Sequence, residues 1–257
     1  MISYTQRDGV KKIMCTYDKL PKLVELINTA DYRLLVDEYH NLLKQYMFRS
    51  AAINGVLDNF REFKSFCFMS ATPIDVELKP EVLRDVPEYY ADWSEEQNLF
   101  IAPFQSNKPY QYVTNFINHY KKDGYIIVNG HKSYEAFFFL NSVREIANII
   151  KGTNLTNDNC RVICTNEREN REKLGDITIS SSVSESKQFN FITCKSFEGA
   201  DFFSETGLCF VVSNVHVKHT LASIDLDIPQ IAGRIRNKEN PFRNMVIHIF
   251  NTKHDDS

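Results

Sequence analysis

The strongest structural signal in the sequence is a repeated alternation of short apolar runs with longer amphipathic stretches. In the first part of the chain the apolar runs are KKIMCTY, YRLLVDE and SFCFMSA, separated by LPKLVELI and by a helical pattern over residues 41–63. The second part continues with LFIAPF, QYVTNFINHYKK, YEAFFFL, NSVREIANIIKG, RVICT, FNFITC, LCFVVS and MVIHIF. Such alternation favours βαβ units on mostly parallel sheets. We therefore predict an α/β fold with functional residues at the carboxyl ends of its strands.

The alternation is interrupted between residues 75 and 97. This stretch is rich in acidic residues and proline and has neither a helical nor a strand period. A chain of 257 residues also exceeds the usual size of a single domain. We predict two domains, residues 1–95 and residues 96–257.

Composition argues against a disordered chain and against a helical membrane protein. Hydrophobic residues make up 43% of the chain and charged residues 25%, the balance of a globular protein with a core. No window approaches the ~18 uninterrupted apolar residues of a membrane span, and the N-terminus lacks the apolar core of a signal peptide. The six cysteines show no CxxC pair and no metal-ligand spacing, so we expect reduced core thiols and a cytoplasmic protein. The net charge of −3 neither supports nor excludes a nucleic-acid partner.

Two adjacent carboxylates and a histidine follow one buried-strand pattern. Asp37 and Glu38 come directly after the apolar run that begins at Leu34, and His40 follows them. A carboxylate at a strand end can hold Mg²⁺, while its neighbour can orient and deprotonate an attacking water. The alternative is an acidic helix N-terminus, which the helix dipole favours.

Small hydroxyl residues follow a second apolar strand. The run from Phe66 ends in Ser70, Ala71, Thr72 and Pro73. The two hydroxyls can bond a neighbouring carboxylate or histidine, and the proline fixes the exit of the chain. An ordinary strand-to-loop turn explains the segment equally well.

These segments, with three later ones, resemble the ordered motifs of superfamily-two helicases of the DExH type. DEYH resembles motif II and SATP resembles motif III, while residues 139–142, 193–201 and 230–236 are similar to motifs IV, V and VI. The resemblance covers nearly the whole chain. It implies two RecA-like domains of the P-loop NTPase type, the first incomplete at its N-terminus, and ATP with Mg²⁺ as cofactors.

In the first domain the resemblance assigns roles to five residues. Asp37 takes the Mg²⁺ role and Glu38 activates the water, while His40, Ser70 and Thr72 couple hydrolysis to domain movement.

In the second domain the resemblance assigns five residues to the nucleotide. Gly199 and Asp201 correspond to the part of motif V near the nucleotide, and Gln230 and Arg234 belong to the interdomain ATP cleft. Arg234 or Arg236 reaches the γ-phosphate, a task that suits the fixed charge of a guanidinium. Alternatives are a positive φ angle for Gly199, a turn cap for Asp201, and a surface ion pair for one arginine, because residues i and i+2 do not share a helical face.

Four residues correspond to nucleic-acid contacts in the family. Thr193 in motif V and Asn141 with Ser142 in motif IV are expected at the nucleic-acid backbone. The segment CTYDKL resembles motif Ib and adds Thr16. A helix N-cap at Thr16 or Asp18 explains this segment equally well, and Thr193 on an apolar strand could instead satisfy backbone groups.

The sequence departs from the family in its phosphate-binding loop. It contains no GxxxxGK[ST] segment, and the stretch from Gly9 to Lys12 is too short and lacks the second glycine and the hydroxyl. We expect the chain to begin after this loop, which upstream residues or another chain would supply. For this chain alone we predict ATP affinity and turnover close to nil. The missing strand would also expose a sheet edge, which predicts self-association.

Motif VI departs as well, because Asn237 stands where the family has an arginine and Arg236 is one place early. This shortened form, with the preceding HTLASIDLDIPQ, resembles replication-origin-binding helicases of viral and phage type.

Three functions remain open from the sequence. The leading one is a fragment, or a form without the phosphate loop, of an ATP-dependent helicase or translocase that acts on nucleic acid, DNA rather than RNA. The alternative is a non-catalytic remnant that binds nucleic acid or a partner. A metabolic α/β enzyme is the third, and the order of the motifs disfavours it.

Overall fold

The computed structural model describes residues 2–5, 7–71, 74–91, 98–194, 200–224 and 226–253. The chain divides into two compact units, residues 1–92 and residues 93–257. The predicted boundary between residues 95 and 96 lies outside the described residues and stays a prediction.

The described part of the first unit contains two strands and four α-helices. Its elements are α1 (Ile2–Thr5), α2 (Leu20–Val24), β1 (Arg33–Asp37), α3 (Asn41–Lys44), α4 (Tyr46–Asn59) and β2 (Ser65–Met69). The two strands are parallel, with Arg33 opposite Ser65 and Asp37 opposite Met69. Parallel strands need a crossover between them, and α3 and α4 supply it. This arrangement confirms the βαβ unit that the sequence predicts here.

The two-stranded sheet of the first unit is covered on one face. Val36 is buried, and Leu34 and Phe68 pack with it against the helices. On the opposite face Leu35 is 58% exposed and Met69 is 49% exposed. Parallel sheets normally bury both faces, so the described part of this unit shows half of such a packing.

One predicted strand is absent from the described part of the first unit. Residues 11–16 are assigned to no strand, and a 3₁₀ turn follows them at Tyr17–Lys19. The segment KKIMCTY has the apolar pattern of a strand, but in the described residues it forms no hydrogen-bonded ladder with β1. A strand needs a partner ladder as well as an apolar pattern, because its backbone groups bond between segments.

The second unit is built on a six-stranded parallel sheet. The described strands of this unit are β3 (Phe100–Gln105), β4 (Ile126–Val128), β5 (His131–Ser133), β6 (Glu135–Phe139), β7 (Cys160–Ile163), β8 (Phe189–Ile192), β9 (Gly207–Val212) and β10 (Met245–Phe250). Strands β4 and β5 form a separate hairpin, and the other six form the large sheet. Its helices are α5 (Pro109–Asp123), α6 (Val143–Gly152), α7 (Arg168–Leu174) and α8 (Asp227–Ala232). The large sheet has the order β3-β10-β9-β6-β8-β7, and every neighbouring pair in it is parallel.

Helices cover both faces of this sheet. Along β6, Phe138 belongs to the core on the side of α5 and α6, whereas Phe137 and Phe139 belong to the core on the side of α8. The central strands β6 and β9 are buried on both sides, which is why they are mainly apolar rather than alternating. The predicted α/β class is confirmed.

A β-hairpin in the second unit was not predicted. Strands β4 and β5 pair antiparallel, with Val128 opposite His131. Asn129 and Gly130 form the turn, and both have positive φ angles, 49° and 80°. An Asn-Gly pair between apolar residues is a strong hairpin signal, so the sequence contained this information.

The remaining expectations concern membranes and thiols. Among the described helices none is both long and apolar enough to cross a bilayer. All six cysteines are free; Cys160, Cys164 and Cys209 are buried, whereas Cys67 and Cys194 are exposed. Burial raises the pKa of the Cys209 thiol to about 12 and that of Cys160 to about 11, so both are unreactive.

Candidate functional site

The acidic pair lies at the carboxyl end of β1. Asp37 is the last residue of the strand and is exposed. Glu38 follows with a φ of 50°, a left-handed conformation that few non-glycine residues adopt. The Asp37 Oδ1 atom accepts a hydrogen bond from the Glu38 backbone N–H at 3.0 Å, and the Tyr39 N–H donates to the Met69 carbonyl at 3.1 Å. The turn after β1 is thereby attached to the end of β2.

A buried histidine joins the two motifs of the first unit. His40 is 1% exposed, and its Nδ1 lies 2.7 Å from Ser70 Oγ. The same nitrogen is 3.3 Å from Glu38 Oε2. The structure thus brings together Glu38, His40 and Ser70, which the sequence assigns to hydrolysis and coupling. Thr72, assigned to coupling with Ser70, lies outside the described residues.

Tyr17 is a supporting residue that the sequence interpretation missed. Its hydroxyl donates to the Asp37 carbonyl at 2.7 Å and lies 3.4 Å from the Glu38 carbonyl. These bonds hold the backbone of the acidic pair from the side of the 3₁₀ turn. The neighbouring Thr16 is exposed and its side chain makes no capping hydrogen bond. The N-cap explanation for Thr16 is therefore not supported, and its nucleic-acid contact stays a prediction.

The oxygens of the acidic pair fit a hard divalent cation. Mg²⁺ commonly takes one or two protein carboxylates and completes its shell with water and substrate phosphate. Asp37 is exposed at a strand end and supplies such a carboxylate. The described residues contain no group of three metal-binding side chains, so they hold no all-protein metal cage.

In the second unit, a carboxylate and two arginines converge. An isolated parallel bridge pairs Phe202 with Ile235. The Phe202 N–H donates to the Arg234 carbonyl at 2.8 Å, and the Arg236 N–H donates to the Phe202 carbonyl at 2.9 Å. Phe202 and Ile235 are buried. Side chains of consecutive residues in an extended segment point to opposite sides. Asp201, Arg234 and Arg236 therefore lie on the side opposite Phe202 and Ile235.

The two arginines do not lie on a helix, but the surface ion pair that the sequence allowed for one of them is present, between Arg236 and Asp201. Helix α8 ends at Ala232, and both arginines follow it. Arg236 Nε lies 2.7 Å from Asp201 Oδ1, and Arg234 Nη1 lies 3.9 Å from the same oxygen. The bridge to Phe202 brings residues i and i+2 to one side, which a helix cannot do.

Arg234 is also bound to α8, the helix that it follows. It is buried, and its Nε donates to the Gln230 carbonyl at 2.7 Å while its Nη2 donates to Gln230 Oε1 at 2.9 Å. Gln230, predicted at the nucleotide, is buried and orients this guanidinium. Asp201 is an ion-pair partner of both arginines rather than a turn cap. Gly199 lies outside the described residues.

The predicted nucleic-acid residues of the second unit lie at the carboxyl edge of the sheet and make internal bonds. Asn141 Nδ2 donates to the His219 carbonyl at 2.7 Å, and its Oδ1 accepts from the Cys194 N–H at 3.3 Å. Ser142 caps α6 by accepting from the Glu145 N–H at 3.4 Å. Thr193 is buried, and its hydroxyl donates to a backbone carbonyl at 3.3 Å. The backbone-satisfying alternative therefore applies to Thr193.

Exposed cations surround that edge. Arg144, in the first turn of α6, has a side chain that is 69% exposed. Lys218 is exposed in the loop after β9, next to His219. No motif singles out either residue. The sequence signal that could have identified them is their position in the segments that follow the apolar strands β6 and β9.

The sequence matches no protein-family model and no curated protein. Comparison with solved structures does find relatives in fold. A structure of the Mycobacterium smegmatis helicase Lhr bound to ssDNA and AMP-PNP has a TM-score of 0.51 at 13% identity, covering 93% of this chain and 31% of that one. A structure of an S. cerevisiae Dbp5 variant bound to RNA and ADP BeF3 has a TM-score of 0.52 at 11% identity, covering 93% of this chain and 57% of that one.

The chain therefore spans well under two thirds of the length of either helicase structure. At such low identity the likeness concerns the fold. With its six-stranded parallel sheet and helices on both faces, this protein has the α/β architecture of RecA-like helicase domains.

Proposed function

We propose that this chain belongs to an ATP-dependent nucleic-acid helicase or translocase, as a fragment or as a form without the phosphate-binding loop. The observation that carries the proposal is the contact of Glu38, His40 and Ser70 at the ends of two adjacent parallel strands, with His40 Nδ1 2.7 Å from Ser70 Oγ. Carboxylate, imidazole and hydroxyl come there from the two segments that resemble motifs II and III. A replication-initiation role is the finer form of this proposal.

In this proposal each residue of the acidic site has a chemical task. Asp37 holds Mg²⁺, whose charge offsets the charge on the transferring phosphoryl group. Glu38 orients the attacking water and accepts its proton. The Nδ1 atom of the buried His40 lies close to both Ser70 Oγ and Glu38 Oε2, so a shift of the chain at Ser70 changes the surroundings of the carboxylate. This linkage is the basis of the proposed coupling.

A non-catalytic nucleic-acid-binding remnant is the second candidate. It is favoured by one observation, the absence of a GxxxxGK[ST] segment from the 257 residues. Backbone N–H groups and a lysine around the β- and γ-phosphates are required for tight ATP binding. In the first candidate, upstream residues or another chain supply this loop. An in-frame phosphate loop in the upstream coding sequence would favour the motor over the remnant.

Nucleic-acid binding is common to both candidates and can be measured directly. We expect fluorescently labelled single-stranded DNA to bind with an affinity that falls steeply with salt, because phosphate contacts release counterions. DNA is expected to bind more tightly than RNA of the same sequence. Anisotropy titrations over a series of salt concentrations test both statements. No binding of either strand at low salt would overturn both candidates.

The exposed cations at the carboxyl edge provide matched variants. Arg144→Gln and Lys218→Gln should each reduce the slope of log affinity against log salt by about 0.7 for a single strand. Lys122→Gln is the control. Lys122 is exposed near the C-terminus of α5, and this helix runs away from the carboxyl edge of the sheet. Equal effects of all three changes would contradict binding at this edge.

Hydrolysis by this chain is expected to be close to nil without a phosphate loop. A malachite-green assay in the presence of single-stranded DNA measures it. Robust DNA-stimulated phosphate release would show that the missing loop is not required, and loss of that release in Glu38→Gln would then assign it to the acidic site.

Self-association is the remaining proposal about partners. It is supported by the two-stranded sheet of the first unit, where Leu35 and Met69 are exposed on one face. Unpaired strand edges beside an apolar face favour pairing with a second copy of the chain. Light scattering during size-exclusion chromatography should show dimers that increase with concentration. A monomer at all concentrations would contradict the proposal.

A further inference from the structure

We propose that Arg236, rather than Arg234, is the arginine that contacts the phosphate, and that Asp201 holds Arg236 in a reserve position when no phosphate is bound. This inference rests on the proposed function, because it assigns the phosphate contact within that reaction. It also assigns different tasks to two residues that the motif resemblance cannot distinguish.

The hydrogen bonds of Arg234 leave little of its guanidinium for a ligand. Nε and Nη2 donate to the carbonyl and the side chain of Gln230, and Nη1 faces Asp201 Oδ1 at 3.9 Å. The side chain is 8% exposed. Moving this guanidinium towards a ligand would break buried hydrogen bonds of a charged group, each of which is costly to lose. Arg234 therefore fastens the end of α8 to the segment that carries Asp201.

Arg236 has the opposite environment. Its side chain is 46% exposed, and its contact in the described part of the chain is Nε to Asp201 Oδ1 at 2.7 Å. Asp201 is itself 45% exposed. An ion pair between exposed groups contributes little stability, so a phosphate oxygen can replace the carboxylate at small cost. The guanidinium fork then presents its Nη groups to the phosphate.

The geometry makes Asp201 a competitor of the phosphate. Its Oδ1 atom is the point where both arginines meet. A carboxylate that leaves Arg236 still faces Arg234, so its charge stays compensated during the exchange. Without Asp201, Arg236 would be more accessible and would bind an anion at lower concentration.

Chemical labelling of arginines in the full chain tests this division. Phenylglyoxal modifies accessible guanidinium groups, and peptide mass spectrometry separates Arg234 from Arg236. We expect Arg236 to react faster than Arg234 in the unmodified chain. Asp201→Asn should raise the Arg236 rate roughly two- to fivefold, the range expected for loss of an exposed ion pair. Asp176→Asn, which changes another exposed aspartate of the second unit, should leave that rate unchanged.

Protection by anions tests the phosphate contact. Inorganic tripolyphosphate should protect Arg236 and not Arg234, at lower concentration in Asp201→Asn than in the unmodified chain. ATP with Mg²⁺ should protect Arg236 less, because this chain has no phosphate loop to bind it. Faster labelling of Arg234, an unchanged Arg236 rate in Asp201→Asn, or no protection of Arg236 by tripolyphosphate would overturn the inference. Protection of Arg236 in a chain that binds no nucleic acid at low salt would support the phosphate contact and count against the proposed function.

A stability measurement adds an independent test. Arg234→Lys should lower the free energy of unfolding because lysine cannot reproduce the bonds to Gln230. Arg236→Lys should leave it nearly unchanged. The opposite order would overturn the assignment of the structural task to Arg234.

Discussion

At the scale of single residues, the acidic site depends on a histidine that water does not reach. His40 is 1% exposed, and its Nδ1 lies 2.7 Å from Ser70 Oγ and 3.3 Å from Glu38 Oε2. A buried imidazole needs partners, because an unsatisfied polar group in a protein interior costs about 1–3 kcal/mol. The arrangement therefore contributes to stability as well as to the proposed coupling.

Ser70→Ala should accordingly destabilise the protein. Removing the hydroxyl takes away the hydrogen bond to His40 Nδ1, and we expect a loss of about 1–3 kcal/mol. Chemical denaturation followed by circular dichroism measures the change. Ser65→Ala is the matched control, since Ser65 is an exposed residue at the start of β2, the strand that Ser70 follows. Equal stability of the two variants would contradict the role of the His40 contact.

At the scale of secondary-structure elements, Ser142 shows how one side chain serves a helix end. Its hydroxyl accepts from the Glu145 N–H at the N-terminus of α6. Ser142→Ala should lower stability by about 1 kcal/mol, the usual cost of losing an N-cap. Ser142→Asn, which can also cap, should restore most of it. Urea denaturation measures both variants, and full stability of Ser142→Ala would show that the cap is dispensable.

Strand β9 begins with a glycine, and the surrounding atoms leave no room for a larger residue there. A Cβ added at Gly207 would lie 2.4 Å from Phe137 Cε2 and 2.7 Å from Ser204 Oγ. Gly207→Ala should therefore destabilise the second unit by about 1–3 kcal/mol through overpacking. Gly152→Ala is the control, because no atom lies within 4 Å of an added Cβ there. In the helix α6 that change should be neutral or stabilising.

At the scale of the whole molecule, the half-buried His248 links stability to pH. His248 lies on β10, which pairs with β3 on one side and with β9 on the other. Its Nε2 is 3.0 Å from Ser213 Oγ. Burial lowers the pKa of this imidazole below its ordinary value of 6.5. The folded protein therefore prefers the neutral ring, and the unfolded chain takes up the proton first as pH falls.

His248 should make the protein sensitive to mild acid. Its contribution is fully present above pH 6.5 and is lost as pH falls from there through the folded-state pKa. We expect the unfolding free energy of the unmodified chain to decline over this range, and His248→Gln to decline less. Urea titrations at several pH values measure the difference. Parallel pH profiles for the two proteins would contradict the role of His248.

The second unit could be predicted well from the sequence, because strands that are buried on both faces are mainly apolar. Strand β9 is a continuous apolar run, and α6 has a helical apolar period. The first unit was harder, since KKIMCTY has a strand-like pattern but no pairing in the described residues. The hairpin at Asn129 and Gly130 was missed although its turn signal was present.

The amino-acid sequence alone determined the α/β class, the order of the motifs and the residue types at the strand ends, because local periodicity and composition encode these properties. Tertiary structure decided which of those residues meet. It placed Ser70 on His40 across two strands, fastened Arg234 to Gln230, and exposed Arg236 beside Asp201. Contacts between distant segments depend on register and burial, which no local pattern specifies.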